Sequence, residues 1–467
     1  MFHSRLLCLG IIITTSASGC VQYKEKPLHS KQLFKQVEIK RRSTESLKKK
    51  EFSFVKAAML MTANNPELKK IKAEYDKVQS VAQLKIPWPN PSIEIGPDIG
   101  KNLGSGVGNK IQPFIALGFT IPLGSKRKIQ GDLNTIHAEL AYINVQAQHR
   151  LLYLKLRETY SHLALTHLKK TIHQSLIKSS NEYVETMESL LDISSVTALD
   201  LGMVKYNEKK TKLELLEIQS EGNEVKAELS KLLGLDVTTF MPDNKMLLPK
   251  LEKGRENFTT LKKVLLENNI SLAKLRVKYR FAEKKLQYEI SKQYPDIQFG
   301  VERERELGSK KSLFGLRLGI ELPIFSKNKK GIIEAEKQRE IIRQAYISEV
   351  HNRLSNLKKV FDNIALYQKK VAILNREVKQ LAHSNLKMAR QALNNGAIDA
   401  LKYSEVFRAH QQTRKDLVYA EIDLREAWIE LEQTLAYPIQ KFAGEKDYIF
   451  TYGKRDLKSD EEKKNAK

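Results

Sequence analysis

The chain has 467 residues, with 80 Lys and Arg against 55 Asp and Glu, a formal net charge of +25 at pH 7. Apolar residues at 41% are enough for a folded core and exclude wholesale disorder, while 13 Pro and 22 Gly favour long helices over a loop-rich all-β chain. Two Cys, one of them inside an N-terminal leader, exclude a disulfide scaffold and any multi-Cys metal site. After the leader no run of about 18 apolar residues offers a transmembrane helix, an exclusion that leaves β-barrels open because their membrane signal is alternation.

Residues 1–20 read as an export signal: Arg5 is the n-region charge, Leu6 to Ile13 form the apolar h-region, and Ala17-Ser18-Gly19 place small residues before Cys20. Small residues directly before a Cys resemble a bacterial lipoprotein box, in which the Cys is lipidated. Ala17 stands where such boxes usually carry Leu. An ordinary secretory signal is the other reading; Gly19-Cys20 favours lipidation. Either way the mature chain leaves the cytoplasm. Residues 21–53 follow as a linker.

The next element is a helix over residues 54–84, with Asn65-Pro66-Glu67-Leu68 as a start signal and Pro at an early helical position. Two strand-like segments come next. The first contains Asn90-Pro-Ser-Ile-Glu-Ile-Gly96, which recurs as Tyr294-Pro-Asp-Ile-Gln-Phe-Gly300; Leu117-Gly-Phe-Thr-Ile-Pro-Leu123 recurs as Leu318-Gly-Ile-Glu-Leu-Pro-Ile324. A shift of roughly 200 residues relates the two halves. The same shift carries Leu215, Ile218, Gly222, Val225, Leu229 and Leu233 onto Leu417, Ala420, Leu424, Ala427, Leu431 and Leu435 without a gap. The chain is therefore a duplicated unit: repeats at 54–235 and 261–437, a linker at 236–260 and a basic tail at 438–467.

Alternation in the strands is clean. Ile115, Leu117, Phe119, Ile121 and Leu123 share one face, as do Leu316, Leu318, Ile320, Leu322 and Ile324, opposite Arg317, Gly319 and Glu321. One apolar and one polar face fits a membrane barrel strand, and a half-buried sandwich strand equally. The helices decide between them. Residues 125–192 and 326–394 contain no Pro and hardly any Gly, and each run would make roughly 100 Å of helix. Such lengths suit a coiled coil or a tunnel wall. Each run ends in a break and a second helix returns with the 3-4 apolar spacing of an antiparallel coiled coil. Four strands cannot close a membrane barrel, and an unpaired edge in lipid leaves backbone groups unsatisfied, so membrane strands require several chains to share one barrel.

These residues together resemble the outer-membrane efflux protein family, the TolC-like channels of Gram-negative export systems. The resemblance covers nearly the whole mature chain. It rests on Asn65-Pro66-Glu67-Leu68, on Ile121-Pro122-Leu123 and Leu322-Pro323-Ile324, on Leu232-Leu-Gly234 and on Asn394-Asn-Gly-Ala-Ile-Asp399, in that order and duplicated. Leu123-Gly-Ser-Lys-Arg127 is similar to the strand-to-helix junction of heavy-metal efflux members. The resemblance implies a mainly α chain with a membrane β-barrel part: a homotrimer with a 12-stranded barrel, four strands per protomer, over a helical periplasmic tunnel. It implies an exit duct in the outer membrane, with no enzymatic activity and no cofactor, working with an inner-membrane pump and a periplasmic adaptor. The adaptor-contacting tip corresponds to Asp192, Ser194 and Ser195 in one turn and Asn394, Asn395, Gly396 and Asp399 in the other. Asp200 falls at the family's acidic gate position after the first turn, Glu405 where many members carry Asp after the second, and Lys402 is the repeat-equivalent of Asp200, placed to pair with it. Ser194 departs from the family's usual Gly.

Other classes fit less well. Nucleic-acid binding lacks a recognition motif, a patched basic stripe and a cytoplasmic address. A periplasmic adaptor, the alternative function, would carry one helical hairpin rather than two. His162, His167 and His173 lack the i, i+4 spacing of a zinc helix and read as packing or solvent-facing residues. Gly104-Ser-Gly106-Val-Gly108 lies between strands and reads as an outer loop. Trp88, between Pro87 and Pro89, reads as an interfacial anchor or as packing at a bend. Lysine pairs such as Lys310-Lys311 read as solvated or facing lipid head groups. The cargo is not legible.

Overall fold

A computed structural model describes residues 23–42, 53–100, 110–192, 196–237, 257–305, 312–442 and 445. Cys20, Ser194, Ser195, the Gly104–Gly108 loop and Lys310-Lys311 lie outside the described residues. Within the segment read as a linker, Ser30–Arg42 forms a helix, α1.

Each repeat opens with two helices where the sequence suggests one. In the first they are α2 (Phe54–Asn64) and α3 (Pro66–Ala82), broken at Asn65. Asn65 cannot stay helical before a proline. Its buried side chain accepts from the Leu68 amide at 3.0 Å and donates to the Leu232 carbonyl at 2.8 Å. The second repeat repeats this device: α6 (Phe258–Asn268) and α7 (Ile270–Ser291) break at Asn269. Asn269 accepts from the amides of Ser271 and Leu272 and donates to the Leu435 carbonyl at 3.4 Å. No proline follows, so the Asn cap alone stops α6 from running on.

The strands β1 (Ser92–Gly100), β2 (Lys110–Ile121), β3 (Ile297–Arg305) and β4 (Ser312–Ile320) form one antiparallel sheet in chain order, so β2 and β3 join the two repeats. Leu117 faces Ile93 on one side and Val301 on the other, and Val301 faces Leu316. Phe119, Phe299 and Leu318 form the next row. The register thus gathers the apolar side chains of the expected alternation that lie within the strands onto one face. Leu123, Leu322 and Ile324 lie beyond the strand ends, because Pro122 and Pro323 have no amide to continue the ladder.

From the sheet descends α4 (Lys126–Asp192), 67 residues without interruption, and α5 (Ala198–Leu233) returns along it. The second repeat sends down α8 (Lys329–Ile373), a π turn (Leu374–Val378) and α9 (Lys379–Asn394), with α10 (Ala400–Leu435) returning. Beneath the sheet the helices pack side by side in the order α3, α4, α7, α8, matching the strands they adjoin; lower down the order is α5, α4, α10, α9. One core cluster joins Leu261 and Leu265 of α6 to Leu357 and Val360 of α8 and Leu431 of α10; another, at the lower end, gathers Tyr183, Met187, Val204, Ala389 and Tyr403. The returning helices end alike. Gly234 (φ 65°) and Ala436 (φ 51°) take the left-handed conformation, and the amides of Leu235 and Tyr437 reach back to the Ser230 and Glu432 carbonyls. The residues after each turn pack inward: Val237, Gln440 and Phe442 are buried, so the segment read as a tail begins inside the folded body.

Candidate functional site

The sheet has one apolar face, and no described element covers it. Ile95, Ile115, Phe119, Leu316 and Leu318 are exposed, as are the strand-end residues Leu322, Ile324 and Phe325. The opposite face carries Glu94, Thr120, Gln298, Glu302 and Arg317, with glycines at 118, 300 and 319 between them. Arg317 binds Glu302 at 2.7 Å and lies 4.0 Å from Glu94. Strands β1 and β4 are the two edges, each with a row of backbone groups that no described strand pairs. An apolar face this large suits hydrocarbon, and in hydrocarbon an open edge must find a partner.

The junction below the sheet is stitched by basic residues. Gly124 turns the chain with φ +69°, and a Cβ there would come within 2.8 Å of the Tyr294 ring. Lys126 then donates to Asp296 at 2.6 Å and to the Tyr294 carbonyl at 2.8 Å, tying the first long helix to the second repeat. Arg127 donates to the Ile86 carbonyl at 2.6 Å and stacks on Trp88 with its guanidinium carbon 3.8 Å from the ring centroid. Trp88 is thus fixed by packing yet 60% exposed. In the second repeat Glu289 holds the same place in the fold. Burial acts to raise its pKa, but hydrogen bonds from Lys292, Asn328 and Lys285 outweigh it and hold the carboxyl down at about 2, against an ordinary 4.5.

At the lower tip, Asp192 ends α4 and is exposed. Thr197 and Asp200 form a capping box: the Asp200 carboxylate accepts from the Thr197 amide at 3.0 Å and hydroxyl at 2.6 Å, and the Asp200 amide donates to the Thr197 hydroxyl at 3.2 Å. Those hydrogen bonds keep the Asp200 carboxyl below its usual range. In the other turn Asn394 closes α9, Asn395 follows, Gly396 sits at φ +70° in open space, and Asp399 caps the Lys402 amide at 2.7 Å. Lys402 binds Glu405 of its own helix at 3.1 Å. Asp200 and Lys402 are therefore each engaged locally, and within one chain they do not pair with each other. The core between them is apolar and aromatic.

Of the three α4 histidines singled out in the sequence, His173 is buried, His162 half-buried and His167 exposed. His173 is buried, 3.6 Å from Glu214 and 3.4 Å from the Tyr419 hydroxyl, and burial and then Lys415 push its pKa down. His162 lies 3.9 Å from Glu158 and 3.8 Å from Glu426. Among the described residues no group of three His, Cys, Asp or Glu side chains is arranged to hold a metal ion.

Sequence reading missed the most buried charge. Arg157 of α4, 2% exposed, donates to both carboxylate oxygens of Glu432 at 2.9 Å and to Glu445 at 2.7 Å, and also binds the Gln440 carbonyl. Glu432 in turn accepts from the amides of Ile439 and Gln440. Phe54, Tyr153 and Phe442 flank the guanidinium, Tyr160 packs edge-on against the two phenylalanines, and the Tyr153 hydroxyl binds Glu445. Burial alone would lower the Arg157 pKa; Glu432 and Glu445 reverse that and raise it. Burial pushes the Tyr160 hydroxyl up to about 12. The cluster straps the segment after α10 onto the first repeat.

A long helical wall topped by a four-stranded sheet with one apolar face is a fold that the chain shares with solved outer-membrane channels. Residues 261–436 match the model of the family described as "Outer membrane efflux protein". That match lies within the second repeat, and the whole chain takes the TolC-like fold. Among solved structures it is similar to the outer-membrane channel OprN (TM-score 0.69, 15% identity, covering 82% of this chain and 90% of that one). It is similar also to the outer membrane protein VceC of Vibrio cholerae (TM-score 0.66, 14% identity, 82% and 96%) and to the outer membrane channel CmeC of Campylobacter jejuni (TM-score 0.62, 10% identity, 90% and 90%). No curated protein matches the sequence. The proteins it resembles are channels, not enzymes.

Proposed function

We propose that the protein is the outer-membrane exit duct of a tripartite efflux or secretion system, a homotrimer whose chains each give four strands to one 12-stranded barrel. The observation that carries this reading is the sheet: an uncovered apolar face bounded by two open edges, directly above a wall of helices stacked in the strand order. Three such sheets closing edge to edge satisfy every backbone group in lipid and put Glu94, Glu302 and Arg317 on the lumen. The repeats at 54–235 and 261–437 are then quasi-equivalent wall units. The two turns at the lower tip face the adaptor, which a pump in the inner membrane loads. Asp200, Lys402 and Glu405 surround the entrance, and Cys20 is the lipid attachment site. The adaptor alternative gains no support, since one sheet spans both repeats and two hairpins descend from it.

The test is to separate inner from outer membranes, extract in mild detergent and measure the oligomer mass. A trimer in the outer-membrane fraction that conducts ions in a planar bilayer is the expected result. A soluble or inner-membrane monomer sinks the proposal.

A further inference from the structure

We propose that neighbouring protomers are joined along the helical wall by two exposed apolar stripes, one on each flank, and that the π turn Leu374–Val378 exists to keep one stripe in phase. This rests on the ring assembly proposed above and adds which side chains close it.

The first stripe is on α5. Leu199, Tyr206 and Leu213 are 60–73% exposed and seven residues apart, with Met203 and Leu216 beside them. Seven-residue spacing of apolar side chains is the seam of a helix that expects a helical neighbour. Within the chain α5 lies against α4 along its length, against α2 at its upper end and against the foot of α10, and no described element covers the exposed residues of the stripe.

The second stripe is on α8 and α9. Leu366, Ile373, Leu381 and Met388 are 41–64% exposed. Seven residues separate Leu366 from Ile373 and Leu381 from Met388, but eight separate Ile373 from Leu381. In an unbroken α-helix the extra residue would turn the lower pair by about 100° and bring the polar Gln380 and Lys387 into the stripe. The π turn lies between Ile373 and Leu381 and holds one residue more than an α turn. It absorbs the extra residue, so the four side chains stay on one face.

The two stripes sit on opposite flanks, and the lower pair of the second, Leu381 and Met388, stands at the height of the first. The strand and helix orders place β1, α3 and α5 on one side of the chain and β4, α8 and α9 on the other. Those are also the sides that carry the open sheet edges. Since the β1 edge of one chain has to meet the β4 edge of the next, α5 has to meet α9. Such a heterologous contact closes into a ring. Val204 and Ala389 share one core cluster, which sets Tyr206 level with Met388 and, one heptad higher, Leu213 level with Leu381. The occupant of each stripe is a second copy of this chain.

The experiment is disulfide trapping in the full-length chain in outer membranes, with the native mass measured in parallel. Leu213→Cys and Leu381→Cys, made as single variants and co-expressed, are expected to give a covalent dimer on oxidation. Tyr206→Cys with Met388→Cys should do the same, while Gln380→Cys in place of Leu381→Cys should trap at least tenfold less. Removing Asn375, which turns the π turn into α-helix, preserves the phase and the Leu213–Leu381 trap. Inserting one Ala after Asn375 abolishes it. A native trimer that traps at neither level overturns this inference and leaves the duct reading standing. A native monomer overturns the ring itself, and with it both.

Discussion

The two repeats solve one packing problem with different side chains. After each returning helix the chain turns inward, and the amide it brings must be accepted by that helix. In the first repeat the Val237 amide donates to the Ser230 hydroxyl at 3.0 Å; in the second, the Ile439 amide donates to Glu432 at 2.9 Å. Serine is neutral and closes the account locally. Glutamate is charged and buried, and it is tolerable only because Arg157 arrives from the other repeat. Duplication supplied the geometry, and divergence at this one position welded the copies together. The same contrast runs through the long helices, since α4 is unbroken and its counterpart carries a π turn.

The largest expected effect comes from breaking that weld. Arg157→Met leaves Glu432 and Glu445 buried without a cation and should cost about 3–5 kcal/mol, whereas Ser230→Ala in the first repeat should cost about 1 kcal/mol. Thermal unfolding of the detergent-extracted protein measures both. Replacing Arg157, Glu432 and Glu445 together by Met, Leu and Leu should recover most of the loss. If Arg157→Met unfolds no earlier than Ser230→Ala, the two solutions are energetically alike and the weld is not one.

A second comparison concerns the breaks at the start of each repeat. Asn65→Ala and Asn269→Ala each remove a helix cap and a buried donor, worth about 1–2 kcal/mol. Asn65 should cost more, because its bond to the Leu232 carbonyl is 2.8 Å against 3.4 Å for Asn269 and Leu435. Their effects on shape should run the other way. Pro66 still forbids a continuous helix when Asn65 is gone, while Ile270 permits one when Asn269 is gone. Amide hydrogen exchange across residues 265–273 should therefore slow in Asn269→Ala, and exchange across residues 61–69 should not slow in Asn65→Ala.

What the sequence showed and what it hid follow from the range of each interaction. Strand alternation, the long proline-free helices and the Asn-Gly turn are encoded within a few residues and stand where they were expected, except that the strands stop short of Leu123, Leu322 and Ile324 and a π turn interrupts the second long helix. The break at Asn65 was visible as a helix start, yet at Asn269 no proline marks it. Arg157 sits in phase with Tyr153 and Tyr160 on the inner face of α4, an apolar stripe with a charge in it, but its acceptor lies 275 residues away. The seven-eight-seven spacing around the π turn is likewise written in the sequence; only exposure shows that it forms a stripe. Asp200, Lys402 and Glu405, expected at a gate, lie in the first two turns of the returning helices. Their partners within the chain were not legible: Asp200 is held by Thr197 and Lys402 by Glu405, each a local competitor to the expected Asp200–Lys402 pair.

The smallest effect tests how far the copies have drifted at their helix ends. Gly234 and Ala436 occupy equivalent left-handed positions, where a Cβ costs about 1 kcal/mol. At Gly234 an added Cβ would also sit 2.8 Å from the Asn64 carbonyl oxygen, a backbone atom held by the start of the repeat, so Gly234→Ala should destabilise by more than the strain alone, about 2 kcal/mol. Ala436 already bears that strain, but its methyl is buried in a cluster with Leu154 and Ile270. Burying one methyl returns about 0.8 kcal/mol. Ala436→Gly therefore exchanges two nearly equal terms and should move the unfolding free energy by less than ~0.5 kcal/mol. A gain near the full strain would mean the methyl contacts contribute nothing. A loss above 1 kcal/mol would mean that the second repeat has remodelled its helix end around alanine.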